Sequence, residues 1–274
     1  MSNLFRVAAV QMSSGDDQPH NLRRASALIE QGAAAGAQLI ALPETFAYLG
    51  RSAQMVGSAE SIPGPTSDLL CALAKRLSIT LVAGSYCEQS PDPTKCFNTS
   101  LLIDPTGTIL AQYRKRHLFD FEIPSQVSCR ESSWLLPGDA LCATPTPCGT
   151  IGQAICYDLR FPELFRELVD LGSAIFCIPA AFTLATGRDH WEILLRARAI
   201  ENQCYVIAPN QYGQHAPGLT TYGRSMIVDP WGTVLATAAD GEGVILAEID
   251  LDRITSIRQR LPALEHRRLI LRPR

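Results

Sequence analysis

Short apolar runs alternate with amphipathic stretches along this chain, and the alternation sets out its elements. Phe5 to Met12 is apolar apart from Arg6 and Gln11 and predicts a buried strand. Residues near 18 to 35 change to a helical period, with Leu22, Ala25, Leu28 and Ile29 on one face and Gly36 as the C-cap. Gln38 to Leu42 predicts a second strand, stopped by Pro43-Glu44. A helix around 65 to 77 and a strand from Ile79 to Ala83 follow. Strands near 97 to 103 and 108 to 113 are then separated by the turn Asp104-Pro105-Thr106-Gly107. Residues 116 to 149, rich in Pro, Ser, Cys and Gly, predict a long irregular excursion. In a compact domain such a loop is usually functional, often an active-site lid.

The second half keeps the same rhythm. Strand 150 to 156, helix 162 to 171, strand 174 to 178, helix 189 to 202 and strand 204 to 208 come first. Strands near 223 to 229, 233 to 237 and 244 to 249 follow. A basic tail from Arg253, with Arg258, Arg260, Arg267 and Arg268, reads as a solvated or subunit-contacting surface. The halves also match residue by residue. Gly36-Ala-Gln-Leu-Ile-Ala-Leu-Pro-Glu-Thr-Phe46 aligns with Gly172-Ser-Ala-Ile-Phe-Cys-Ile-Pro-Ala-Ala-Phe182. Leu102-Ile-Asp-Pro-Thr-Gly-Thr-Ile-Leu-Ala111 aligns with Ile227-Val-Asp-Pro-Trp-Gly-Thr-Val-Leu-Ala236. Two such copies imply two pseudo-equivalent sheets packed face to face with helices outside. Residues 1–274 therefore read as one α/β domain, a four-layer α-β-β-α sandwich with an internal pseudo-twofold repeat.

Composition removes several functions. Apolar residues are 46% and charged residues 19% of the chain, a globular balance with no disordered tract. A net charge of −3 leaves no basic footprint for nucleic acid or an anionic membrane. Met1-Ser2-Asn3-Leu4-Phe5-Arg6 carries no signal-peptide pattern, and the apolar stretch around Ala174 to Ala185 is too short to span a bilayer. A soluble, cytoplasmic protein is the expectation. The 9 cysteines form no C-x-x-C pair, and the 5 histidines do not join them at zinc-ligand spacing. Reduced core thiols are expected, without a disulfide framework or a structural metal.

Three residues at the ends of apolar strands could carry chemistry: Glu44, Lys115 and Cys156. The repeat singles out Glu44, because its counterpart Ala180 manages the same strand end with a methyl group. Cys156 stands on a strand-to-helix corner, where backbone N–H groups favour a thiolate and later an oxyanion. A carboxylate base, a thiol nucleophile and a fixed cation together suit acyl transfer. Each residue also has an ordinary reading. Glu44 could serve a helix N-terminus, Lys115 could belong to the solvated cluster Arg114-Lys115-Arg116-His117, and Cys156 could be a small buried hydrophobe.

Leu42-Pro-Glu-Thr-Phe46, Tyr113-Arg-Lys-Arg-His-Leu-Phe-Asp120 and Cys156-Tyr-Asp-Leu-Arg-Phe-Pro-Glu163 resemble the three signature segments of the nitrilase, or carbon–nitrogen hydrolase, superfamily. The similarity extends through His190-Trp-Glu-Ile-Leu-Leu-Arg-Ala-Arg-Ala-Ile-Glu201, Tyr222 to Gly232 and Leu261 to Arg268. It falls in the Nit-type branch, nearest the deaminated-glutathione amidases and next the ω-amidases. The resemblance implies the same α-β-β-α sandwich, a homodimer or larger assembly, and no metal or cofactor. It implies Glu44 as general base, Lys115 as oxyanion stabiliser and Cys156 as the nucleophile that becomes a thioester. The N–H of Tyr157 would complete the oxyanion hole, and Glu131 would support Lys115 or the substrate. Arg160, Phe182 and Thr186 would hold a substrate carboxylate, a task that suits the guanidinium fork of Arg160. An ion pair of Arg160 with Asp158 or Glu163, and a purely core role for Phe182, stand as alternatives. Three other functions compete: a Cys–His hydrolase pairing Cys156 with His117 or His190, a different activity of the same superfamily with the same three residues (ω-amidase, N-carbamoyl amino acid or nitrile hydrolysis), and a catalytically inactive scaffold on the same fold.

Overall fold

In the computed structural model, which describes residues 3–123, 127–216 and 218–269, the first half runs β1 (Leu4–Gln11), α1 (Gln18–Ala34), β2 (Leu39–Ala41), α2 (Ser52–Gly57), α3 (Pro65–Leu77), β3 (Thr80–Val82), β4 (Tyr86–Gln89), β5 (Cys96–Ile103) and β6 (Ile109–Arg114). Next come β7 (Asp120–Ile123), β8 (Val127–Arg130), β9 (Ala143–Thr146), β10 (Gly149–Gln153), α4 (Pro162–Asp170) and β11 (Ile175–Cys177). Then follow α5 (Leu184–Asn202), β12 (Tyr205–Ala208), β13 (Tyr212–Ala216), β14 (Leu219–Tyr222), β15 (Met226–Val228), β16 (Val234–Thr237), β17 (Gly243–Asp250) and α6 (Leu251–Arg260).

Residue parity sorts the apolar strands into layers. Val7 and Ala9 of β1, Leu39 and Ala41 of β2 and Val82 of β3 point between two sheets, where they meet Ile151, Ile175, Cys177, Ile207 and Ile227. The alternate residues Ala8, Val10, Ile40 and Leu42 face Leu28, Ile29, Leu70 and Leu73 of α1 and α3. On the other sheet Phe176, Ile178 and Val206 face Leu164, Phe165, Trp191 and Leu195 of α4 and α5. Strands buried on both faces need apolar residues at both parities, which explains the unbroken runs. The result is the α-β-β-α sandwich.

The sheets are copies of one another. One has the order β17-β1-β2-β3-β5-β4, with β6 also on β5; the other is β16-β15-β12-β11-β10-β9. Each has a parallel centre, β1-β2-β3 or β10-β11-β12, and ends in a hairpin, β5-β6 or β15-β16. The hairpin turns agree in detail. Asp104 Oδ1 accepts the N–H groups of Thr106 and Thr108, and Asp229 Oδ1 accepts those of Trp231 and Thr233. Gly36 and Gly172, which open the matched segments, take φ of 86° and 93°, in the left-handed region where a Cβ is penalised.

Four expectations are corrected. The strand expected at 150 to 156 ends at Gln153, because the Asp158 carboxylate accepts the Ile155 N–H at 2.8 Å and turns the chain into a short 3₁₀ segment, Cys156–Arg160. The helix expected from 189 begins at Leu184. Its Gly187 is a packing requirement and not a breaker, since a Cβ there would lie 2.4 Å from the Tyr222 Cβ. The described residues of the excursion 116 to 149 include regular structure, with β7 paired antiparallel to β8 and β9 to β10. The tail from Arg253 begins within α6, where Asp250 caps the helix by accepting the Asp252 N–H. Among the described residues no helix is long and apolar enough to cross a membrane.

Ile175 is fully buried between the sheets. Ile175→Ala should lower the unfolding free energy by about 2–5 kcal/mol through lost transfer energy and a residual cavity. A lower urea midpoint at unchanged slope would show it.

Candidate active site

The site forms where the two copies face each other at their strand ends. Glu44 follows Pro43 just beyond β2; Lys115 follows β6 and donates its N–H to Asn98 O at 2.9 Å. Cys156 opens the 3₁₀ turn with φ 44° and donates its N–H to Pro179 O at 2.8 Å. The fully buried Asp158 joins these segments. Besides the Ile155 N–H, it accepts the Tyr113 hydroxyl at 2.7 Å and the His117 N–H at 3.0 Å, and it meets His117 Nδ1 at 2.7 Å. Tyr113 and His117 flank Lys115, and Asp158 lies two residues from Cys156, so one carboxylate ties the thiol's turn to the lysine's strand end.

The charges form a closed cluster. Lys115 Nζ lies 3.0 Å from Glu44 Oε1 and 3.0 and 2.9 Å from the two oxygens of Glu131. Asn98 Nδ2 donates to Glu44 Oε1 at 2.8 Å, and the Ala181 N–H donates to Glu44 Oε2 at 2.7 Å. The Phe119 N–H donates to Glu131 Oε2 at 2.7 Å. Every carboxylate oxygen is therefore satisfied, as burial of such groups requires. Lys115 is only 1% exposed.

Burial by itself would depress the Lys115 pKa, but Glu131 and Glu44 outweigh it and hold the ammonium well above its usual range. Burial raises the Glu131 carboxyl, with Lys115 pulling it down and Glu44 pushing it up. The Cys156 thiol is pushed well up, first by burial and then by the Glu44 charge and hydrogen bond, against the pull of Lys115. In the resting site Cys156 is a protonated thiol beside a carboxylate. That is the arrangement for base-assisted attack, not for a preformed thiolate.

Above the cluster lies a cavity of about 530 Å³. Glu44, Glu131, Cys156, Tyr157, Arg160, Phe182 and Thr186, singled out from sequence, all line it, while Lys115 sits behind the two carboxylates. Phe119, which precedes β7, Phe121 of β7, Cys129 of β8 and Trp134 also line it, so the former excursion builds part of the site. Burial and Glu131 push the Cys129 thiol to about 11. Phe182 packs on Trp191 in the core and also forms part of the cavity wall. Arg160 pairs with neither Asp158 nor Glu163. Its guanidinium reaches His190 Nδ1 at 3.3 Å and lies 5.1 Å from the Phe182 ring centroid. Neither His117 nor His190 lines the cavity, which argues against a Cys–His hydrolase. Sequence reasoning missed Asn98, Asp158 and the cavity residue Arg188. Asp158 stood inside a quoted motif; Asn98 and Arg188 left no signal. Among the described residues no group of three or more His, Cys, Asp or Glu side chains could hold a metal ion.

Comparison with known proteins agrees with this geometry. The carbon-nitrogen hydrolase family model matches residues 6–259. A deaminated glutathione amidase from Synechocystis is 42% identical over 96% of this chain and 98% of its own length. The human omega-amidase is 38% identical over 96% of this chain and 95% of its own. The crystal structure of the C. elegans NitFhit protein superposes with a TM-score of 0.92 at 39% identity, covering 97% of this chain and 66% of that one. The chain belongs to the carbon–nitrogen hydrolase family, and within it resembles the Nit-type enzymes.

Glu44→Gln removes the anion that raises the Cys156 pKa and leaves the attraction of Lys115 in place. The thiol pKa should fall, so iodoacetamide should alkylate Cys156 about threefold or more faster than in wild type at pH 7.5, a gain a half-unit shift supplies. In wild type the rate should still climb above pH 9. Peptide-level mass spectrometry reads both, and an unchanged or slower rate in the variant would contradict the assigned charge balance.

Proposed function

We propose that the protein is an amidase that cleaves a carboxylate-bearing amide through a thioester on Cys156, with deaminated glutathione as the substrate and 2-oxoglutarate and Cys-Gly as products. The convergence of Cys156, Glu44 and Lys115 beneath a cavity lined by Arg160, a guanidinium with no carboxylate partner among the described residues, supports this reading best. Glu44 takes the thiol proton while sulfur adds to the amide carbon. The oxyanion meets the Lys115 ammonium and the Tyr157 N–H. Glu44 then protonates the departing nitrogen as the C–N bond breaks. Water, deprotonated by Glu44, adds to the thioester, and collapse releases the carboxylate product and returns the proton to sulfur. Glu131 holds Lys115 in place. Arg160, with Thr186 and Phe182, grips the keto-acid carboxylate.

An ω-amidase acting on α-ketoglutaramate is the second reading, supported by the human relative. The same chemistry then releases ammonia. We further propose that residues 1–274 act as one domain in a homodimer or larger assembly, with the tail from 253 in subunit contacts. Exposed Ile193 and Ile200 of α5 and Trp231 offer an apolar surface for a second copy. The 9 unpaired cysteines suit a cytoplasmic setting.

Hydrolysis of deaminated glutathione, compared with α-ketoglutaramate and with Cys156→Ala as blank, separates the two readings. Arg160→Met should raise KM for either keto-acid substrate at least about tenfold, the scale of a charge-assisted pair, and change a neutral amide's far less. Equal effects on both classes would remove Arg160 from substrate recognition.

A further inference from the structure

The cavity wall carries four charged side chains: Glu44, Glu131, Arg160 and Arg188. The two carboxylates are committed to Lys115. The two arginines form no ion pair among the described residues, so what the cavity offers a ligand is two cations on largely apolar walls. Arg160, four residues beyond the nucleophile, is accounted for by a carboxylate on the acyl side. Arg188 is not. It stands exposed on α5, two residues past Thr186, and lines the cavity together with Leu219 and Thr220 of β14. A volume of about 530 Å³ is in the range that encloses drug-sized ligands, and a five-carbon keto-acid amide fills only part of it.

We infer that Arg188 is a specificity-determining residue that takes a carboxylate on the leaving-group side of the scissile amide, so the site selects a substrate with an anion at each end. The inference rests on the reading of a peptide leaving group. An extended dipeptide carries its terminal carboxylate about 7 Å beyond the scissile nitrogen, far enough to clear the catalytic floor. An ammonia leaving group offers Arg188 nothing. Because Arg188 is exposed, water screens the contact, and its effect is modest and sensitive to salt.

A cycle of two enzymes and two substrates tests this: wild type and Arg188→Gln, each with deaminated glutathione and with the same compound amidated at its glycine carboxylate. In wild type, amidation should lower kcat/KM about three- to tenfold, the range for a partly screened charge-assisted pair, through KM. In Arg188→Gln it should cost nothing, and Arg188→Lys should recover part of the penalty. Added salt should raise KM for the charged substrate more in wild type than in Arg188→Gln, where only the pair with Arg160 is left to screen. Equal loss on both substrates, or an amidation penalty that survives in Arg188→Gln, overturns the role of Arg188 and leaves the amidase reading standing. Wild type that turns over α-ketoglutaramate but neither peptide substrate overturns the peptide-leaving-group reading, and the inference with it.

Discussion

The constraint on which the site depends is an ammonium held almost entirely out of water. Burying a charge costs several kcal/mol even after relaxation, and the cost is recovered only with good geometry and no unsatisfied partner. Lys115 meets that condition with two carboxylates, and the carboxylates meet it with Asn98 and two backbone N–H groups. The donors come from distant parts of the chain: β5, the approach to β7, and the segment after β11. The cluster therefore fixes where the first sheet, the β7–β8 pair and the second sheet meet. Loss of Lys115 alone would leave two facing carboxylates uncompensated, whereas exchange of a residue such as Ile175 disturbs only packing.

The pseudo-twofold frame makes the site asymmetric. Equivalent loops after β2 and β11 meet at the axis, where Glu44 of one accepts the N–H of Ala181 in the other. The first half supplies the carboxylate proposed as base and the ammonium, and the second supplies the sulfur, its turn and both arginines. Ala180, the counterpart of Glu44, is fully buried in the apolar cluster between the second sheet and its helices. The residue difference that marked Glu44 in the sequence is thus the point where the symmetry of the fold yields to the chemistry.

Much of this was legible before any coordinates. Runs apolar at both parities gave the buried strands, and the Asp-Pro-x-Gly turns gave the hairpins and the repeat. What stayed hidden was whatever depended on a side chain overruling its local pattern. Asp158 ends β10 early by capturing the Ile155 N–H, a decision made by a residue outside the apolar run. The helix expected from 189 starts at Leu184, and its Gly187 must let Tyr222 approach, a packing demand that no local pattern registers. Asn98 lies in a strand of ordinary pattern, and Glu131, marked only by the family resemblance, in a segment without one. Their importance arises only when Lys115 is folded between them.

The resting thiol looks poorly prepared for attack, since burial and Glu44 both raise its pKa. On the proposed route the difficulty is also the solution. Two carboxylates and one ammonium give the cluster one net negative charge, and moving the thiol proton to Glu44 leaves that charge unchanged. As Glu44 is neutralised, its repulsion of the sulfur disappears, and the Lys115 charge it had shared becomes available to the thiolate and then to the oxyanion. The charge moves by a few ångströms inside a region with little water to reorganise, the condition under which fixed dipoles and ions stabilise a transition state most effectively. A preformed thiolate would need a second buried negative charge before substrate arrived. Holding the proton until an amide occupies the cavity avoids that charge, and it confines the reactive form of Cys156 to the enzyme–substrate complex.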